Sequence, residues 1–271
     1  ILCNKHIKFK AFLDYAKSID ADYIATGHYA RVVHTEGKES VMLRGVDNNK
    51  DQTYFLCQLN QNQLNNSLFP IGELTKPEVR QIAEELDLPV AHKKDSTGIC
   101  FIGERDFREF LKNYIPAKSG KMVDIVSKKV IGEHQGIMYY TIGQRKGLGI
   151  GGNGEPWFVV GKDYDKNILY IAQGDSNKWL LSHGALITDV NWISATKPEG
   201  EYDCTAKFRY RQKDNDVSLH FIDETTLYVT FKKPIKAVTP GQAAVFYDGD
   251  VCLGGGTIDK VYKDGKEIDY L

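Results

Sequence analysis

Helical periodicity threads the first 113 or so residues and is then absent, and that change of texture restricts the chain to an α/β segment followed by β structure. Ile7, Ala11, Phe12, Tyr15, Ala16 and Ile19 make an apolar stripe at helical spacing, opening just after Asn4. The short apolar run Tyr23-Ile24-Ala25-Thr26 then ends in Gly27-His28. A buried strand closing on glycine suits an α/β sheet, whose ligands sit beyond the carboxyl ends of its strands. Thr75-Lys76-Pro77-Glu78 reads as a capping box with proline in the first turn, and it predicts a helix to about Leu86. A loop carrying Lys93, Lys94 and Cys100 leads to another expected helix, Glu104 to Tyr114.

Beyond residue 115 the punctuation changes. Pro116, Gly120 and Gly132 interrupt the chain, and short β runs are expected at Met138–Ile142, Trp157–Val160 and Ile168–Ala172. Asp163 to Asn167 reads as a hairpin turn between the last two. From about 181 strand-like runs recur at short spacing with turns such as Tyr247-Asp248-Gly249-Asp250, which predicts a small antiparallel barrel. Three consecutive domains are therefore expected: 1–113 α/β, 114–180 a central β-rich domain, and 181–271 a C-terminal β-barrel.

With 271 residues there is room for roughly two domains. A net charge of -1 means that any contact with a polyanion must come from a local patch. No apolar run approaches the ~20 residues of a membrane helix. The five cysteines are scattered without a C-x-x-C pair, so a zinc site and a disulfide framework both lose support, and a reduced, cytoplasmic compartment is expected. The opening Ile1-Leu2-Cys3-Asn4, without methionine or leader, reads as a processed chain or a piece of a longer one.

Two cysteines stand where chemistry is expected. Cys100 lies in a loop with two lysines just upstream of an expected helix, and both features stabilise a thiolate; a small buried hydrophobe between Ile99 and Phe101 is the alternative. Cys3 precedes the first helix and could serve with it as an attacking and resolving pair, or could be an inert chain-end residue. Cys57, Cys204 and Cys252 sit in apolar runs and read as core. Gly147-Leu148-Gly149-Ile150-Gly151-Gly152 satisfies G-x-G-x-x-G, but Gln144-Arg145-Lys146 precedes it and Asn153-Gly154-Glu155-Pro156 follows, so a dinucleotide site is rejected. It reads as a basic loop touching phosphate or a plain surface loop. Lys207, Arg209, Arg211 and Lys213 alternate with Phe208 and Tyr210; on a strand they would form a basic, phosphate-binding stripe, or simply a solvated face. Lys50-Asp51-Gln52 follows a turn and by itself is ordinary loop.

Taken together, several of these stretches resemble the tRNA-specific 2-thiouridylase family. They are Leu2-Cys3-Asn4-Lys5, Ala25-Thr26-Gly27-His28-Tyr29-Ala30, Asn49-Lys50-Asp51-Gln52 and Lys94-Asp95-Ser96-Thr97-Gly98-Ile99-Cys100-Phe101. Thr141-Ile142-Gly143-Gln144-Arg145-Lys146-Gly147, Arg209-Tyr210-Arg211-Gln212, Thr239-Pro240-Gly241-Gln242 and Cys252-Leu253-Gly254-Gly255-Gly256 continue the match in order almost to the end. The resemblance implies that residues 1–113 are the C-terminal part of a Rossmann-like PP-loop ATP pyrophosphatase domain and that the barrel binds tRNA. It implies a sulfurtransferase that 2-thiolates the wobble uridine, with ATP, and magnesium accompanying it, activating the uracil 2-carbonyl. A persulfide supplies the sulfur. Cys100 matches the persulfide carrier and Cys3 the second cysteine, whose attack would leave a Cys3–Cys100 disulfide. Gly27 matches a nucleotide contact, and His28, Lys50, Asp51, Gln52, Arg209, Tyr210 and Gln242 match positions facing tRNA. No metal ligand set is expected in the protein itself. The implied partners are glutamate, glutamine and lysine tRNAs and a cysteine desulfurase or sulfur-relay protein, with no membrane.

The departure from the family is at the front. Its Ser-Gly-Gly-x-Asp-Ser phosphate loop does not occur here, so the 271 residues alone are expected not to adenylate tRNA, and unpaired sheet edges should favour aggregation. Three other readings compete: an α/β enzyme that adenylates a carbonyl and adds nitrogen, a non-catalytic tRNA-binding module, and a two-cysteine redox protein.

Overall fold

The first residues coil as their spacing predicts, but with another face inward. In the computed structural model, which describes residues 1–93, 107–152, 154–194 and 197–270, a π-helix over Asn4–Ala11 runs into α1, Phe12–Ser18. The buried side chains are Asn4, Phe9, Leu13 and Ala16, whereas Ile7, Phe12, Tyr15 and Ile19 are about half exposed or more. A π turn closes i→i+5 bonds, so it shifts the phase of every residue after it, and the stripe read at a uniform 3.6 period points the wrong way.

The described residues divide into two compact units. The first gathers Ile1–His92, His183–Lys233 and Pro240–Lys260, and the second Lys93–Ser182, Pro234–Thr239 and Val261–Leu271. In the first, strand β1 (Ile24–Ala25) pairs in parallel with β4 (Ser67–Leu68), and β2 (Ala30–Val33) forms an antiparallel hairpin with β3 (Val41–Arg44). Short helices α2 (Thr53–Leu56) and α3 (Gln61–Asn65) follow, the latter held by an Asn60–Gln63 capping box. The expected box at Thr75 is present: its N–H donates to Glu78 Oε2 at 2.7 Å and opens α4, Lys76–Glu85. Helix α5 covers Phe107–Lys112, shorter than the expected Glu104–Tyr114; residues 104–106 lie outside the described residues.

In the second unit, β5 (Gly120–Asp124), β6 (Val130–His134), β7 (Trp157–Asp163) and β8 (Ile168–Gln173) form a sheet in the order β6-β5-β8-β7. The β7–β8 hairpin turns at the expected Asp163–Asn167, where Asp163 Oδ1 accepts Lys166 N–H at 2.9 Å. Met138–Ile142, expected as a strand, is instead a 3-10 turn over Ile137–Tyr139 and the segment after it. Ile137, Tyr139, Tyr140 and Ile142 are all buried, so the run fills the core from one side and lacks the alternation a sheet face would impose. No regular strand or long helix flanks the 147–154 glycine loop, in keeping with the rejected dinucleotide site.

The barrel is closed. Strands β9 (Leu181–Trp192), β10 (Glu201–Lys207), β11 (Asn215–Phe221), β12 (Leu227–Lys236), β13 (Ala243–Asp248) and β14 (Val251–Lys263) run in the cyclic order β13-β10-β11-β12-β9-β14, and β13 pairs back to β14. The β13–β14 turn falls at the expected Tyr247–Asp250. Gly254, at φ +143, lies so near Asn191 that a Cβ would meet that carbonyl oxygen at 2.0 Å. Strand β14 also pairs with β3 through Val251 and Leu43, which carries the barrel sheet into the α/β segment. Among the described residues no helix is long and apolar enough to cross a membrane.

Candidate tRNA and sulfur-transfer site

The turn after β3 is built from its own polar groups. The carbonyl of Asp47 accepts the N–H groups of Lys50 (2.9 Å) and Asp51 (2.8 Å). Asp51 is buried, and its Oδ1 accepts from Gly45 N (3.1 Å), Thr53 N (3.3 Å) and Thr53 Oγ1 (3.0 Å). Its carboxylate therefore shapes the turn. Gln52 reaches the other way: its N–H donates to the Tyr29 carbonyl (2.8 Å) and its Oε1 accepts the Tyr29 N–H (3.0 Å). Of the trio picked out in the sequence, Asp51 and Gln52 are anchors, and Lys50 is half-buried on the wall of a cavity of about 320 Å³.

This clamp on Tyr29 fixes its neighbours. His28 is buried between the rings of Phe9 (5.6 Å) and Phe69 (6.2 Å), with Nδ1 2.9 Å from Thr26 Oγ1. Burial, helped by the charge of Lys8, pulls its imidazole down to about 4, so it is neutral at physiological pH and can offer a hydrogen bond but no charge. Gly27 is exposed beyond the carboxyl end of parallel β1, and a Cβ there would meet nothing within 4 Å. Packing inside the protein does not demand glycine at that place; a close-fitting ligand would.

The barrel brings the remaining candidates to the same turn. Strand β10 ends at Lys207, and residues 208–212 form a turn in which Gln212 Oε1 accepts Phe208 N–H (2.8 Å). The expected four-charge strand face is thereby corrected: Lys207 is buried, Arg209 is half-buried, and only Arg211 and Lys213 are exposed. Alternation requires a continuing strand, and the buried Phe208 sits where this one stops. Tyr210 packs on Phe55 (4.3 Å between centroids) and near Tyr54 (6.1 Å), and its hydroxyl is 3.4 Å from the Lys50 carbonyl. Burial lowers the Arg209 guanidinium from its usual range, yet it stays cationic. Gln242 is exposed beside Ala243, whose carbonyl accepts the Tyr54 hydroxyl at 3.0 Å. Tyr54 and Phe55 thus hold both barrel segments; sequence reading had seen them only as apolar residues after the polar trio.

The thiols divide sharply. Cys57 and Cys252 are fully buried, and burial pushes the Cys57 thiol up to about 12 and that of Cys252 well above its usual value. Half-buried Cys204 is likewise pushed up to about 12 by burial. These three are thiols, not nucleophiles. Cys3 is half-exposed where the first helix begins, although its backbone is already helical (φ -61°, ψ -41°). Cys100, and with it a Cys3–Cys100 disulfide, lies outside the described residues.

Comparison with known proteins agrees with this arrangement. Residues 1–104 match the family described as the tRNA methyl transferase HUP domain, 108–173 the tRNA methyl transferase PRC-barrel domain, and 182–258 the aminomethyltransferase beta-barrel domain. The chain is 60% identical, over all 271 of its residues and 72% of the relative's length, to the tRNA-specific 2-thiouridylase MnmA of Bacillus cytotoxicus. It is 59% identical over the same spans to the proteins of that name from Bacillus cereus and Bacillus thuringiensis. With an α/β HUP segment, a PRC-barrel middle and a closed β-barrel in one order, this chain belongs to the tRNA-specific 2-thiouridylase family.

Proposed function

We propose that the chain carries the sulfur-transfer and tRNA-contacting machinery of a tRNA 2-thiouridylase, acting on the wobble uridine. The observation that carries this reading is the convergence of Gln52, Lys50 and Tyr210, from opposite ends of the sequence, on one turn of one unit. Residues 1–113 would activate the base, 181–271 hold the RNA, and 114–180 link them. ATP, when bound, supplies activation of the uracil 2-carbonyl oxygen as a leaving group, and magnesium would accompany it. The open space over Gly27, at the end of a parallel strand pair, fits a nucleotide there. Neutral His28 would hold a base or ribose by hydrogen bond, Arg209 and Lys50 would meet phosphate, and Tyr210 and Gln242 would line the RNA path.

For sulfur transfer, Cys100 would carry a persulfide loaded by a desulfurase or relay protein. The Cys3 thiolate attacks Sγ of Cys100 and breaks the S–S bond. Hydrosulfide departs to the activated carbon, the Cys3–Cys100 disulfide remains, and an external thiol reduces it for the next turnover. The partners would be the glutamate, glutamine and lysine tRNAs, in the cytoplasm.

The test is to join the chain to the loop-bearing segment of its family, incubate it with ATP, a sulfur source and unmodified tRNA, and seek 2-thiouridine by mass spectrometry of the digested RNA. Product from the parent and none from Cys3→Ser or Cys100→Ser is expected. Bound tRNA without product from any of the three would favour a non-catalytic tRNA-binding module.

A further inference from the structure

A second polar cluster lies behind the Lys50 turn, and its charges do not balance. Lys207, at the end of β10, is 9% exposed, and its Nζ lies 3.9 Å from Asp214 Oδ1 and 5.6 Å from the Tyr247 ring centroid. The other face of that ring carries Arg44, also buried, with its guanidinium carbon 3.7 Å from the centroid. Arg44 Nη2 is 3.1 Å from Asp214 Oδ2, yet it makes no hydrogen bond. A single carboxylate, itself 41% exposed, thus faces two buried cations. Asp51 offers no relief, because its carboxylate is occupied by Gly45 and Thr53. Burying a lysine without a full counter-charge is expensive, and such a group is kept where a ligand completes it.

Lys207 opens on the 320 Å³ cavity, whose walls also include Asn48, Lys50, Tyr210, Arg211 and Gln212. Three cations and several amide groups against anchored or shared carboxylates describe a site for one negative charge with acceptor oxygens. An aromatic wall at Tyr210 adds a surface for the adjoining sugar or base. We infer that this cavity is a phosphodiester subsite for the tRNA substrate, with Lys207 as its buried cation, Arg211 at its rim and Arg44 holding Asp214 beside them. The inference rests on the tRNA reading proposed above and names a contact that reading does not include.

Counterion release separates the subsite from a merely structural lysine. A cation on phosphate contributes to the slope of log affinity against log salt, and its removal lowers that slope by about 0.7–1. Equilibrium binding of unmodified tRNA to the full chain across a salt series would compare the parent with Lys207→Gln, Lys207→Arg, Arg211→Gln and Lys232→Gln. Lys232 is a control on the barrel, 46% exposed and paired with Asp203 at 3.0 Å. The expected result is an affinity drop of about 5–10-fold with the shallower slope for Lys207→Gln and Arg211→Gln. Lys207→Arg and Lys232→Gln should keep the parent slope. Exposed Arg211 makes its variant informative even if Lys207→Gln folds poorly. Parent-like slopes in both Gln variants, or a weaker affinity with an unchanged slope, would overturn the subsite while tRNA binding stands. A parent that binds no tRNA would overturn the tRNA reading itself.

Discussion

The two units bury different kinds of side chain. Among the described residues, the first buries His28, Arg44, Asp51 and Lys207 together with six uncharged polar residues, whereas the second buries only His134 and Ser182. The second unit's core of Met122, Val159, Leu169 and Ile171 is dry, and it does what apolar packing does best, which is hold a sheet together. Desolvating polar groups costs free energy, so a core that keeps them is organised around something besides stability. All candidate site residues within the described part of the chain fall in the polar unit.

That contrast can be broken or sharpened by measurement. The largest effect is expected in the dry core: Leu169→Ala, at a fully buried site, should cost about 2–5 kcal/mol in urea unfolding. The protein that remains folded should bind tRNA with the parent affinity; altered binding would blur the division. Next comes acid. Burial holds His28 at about 4 when folded against 6.5 for the ordinary imidazole, so the unfolded chain takes the proton first. The associated stability, on the order of 3 kcal/mol, is present above pH 6.5 and drains as pH falls toward 4. A His28→Phe variant should lose that acid limb in pH-dependent unfolding; an unchanged limb would assign it elsewhere. Asp51→Ala, which strips acceptors from Gly45 and Thr53, should cost about 2–3 kcal/mol and weaken tRNA binding together, with Asp51→Asn recovering most of both. Smallest is Thr75→Ala at the head of α4, about 1 kcal/mol with no change in tRNA affinity, read from thermal melts.

The parts of this fold that showed in the sequence are those fixed by local chemistry. The Thr75–Glu78 box, the Asp163–Asn167 hairpin, the Tyr247–Asp250 turn and the spaced strands of the barrel each need particular residues at particular steps. What did not show depends on continuity over many residues. One π turn rotated the face of the first helix, and a strand that stops at Lys207 turned an expected basic face into one buried lysine and a turn. The family motifs picked out His28, Lys50 and Tyr210. They could not show that Asp51 and Gln52 point into the protein, because that follows from partners at Gly45, Thr53 and Tyr29.

The pairing of Val251 with Leu43 gives the order of the chain and its layout in space different meanings. The first and last stretches share a continuous sheet, while the middle of the sequence belongs to another body. Genetic exchange of the barrel alone would therefore sever hydrogen bonds on which the Asp47–Gln52 turn is mounted. The unit that must move as a whole, in evolution or by engineering, is discontinuous: the β2–β3 hairpin and its turn have to travel with strands more than two hundred positions away.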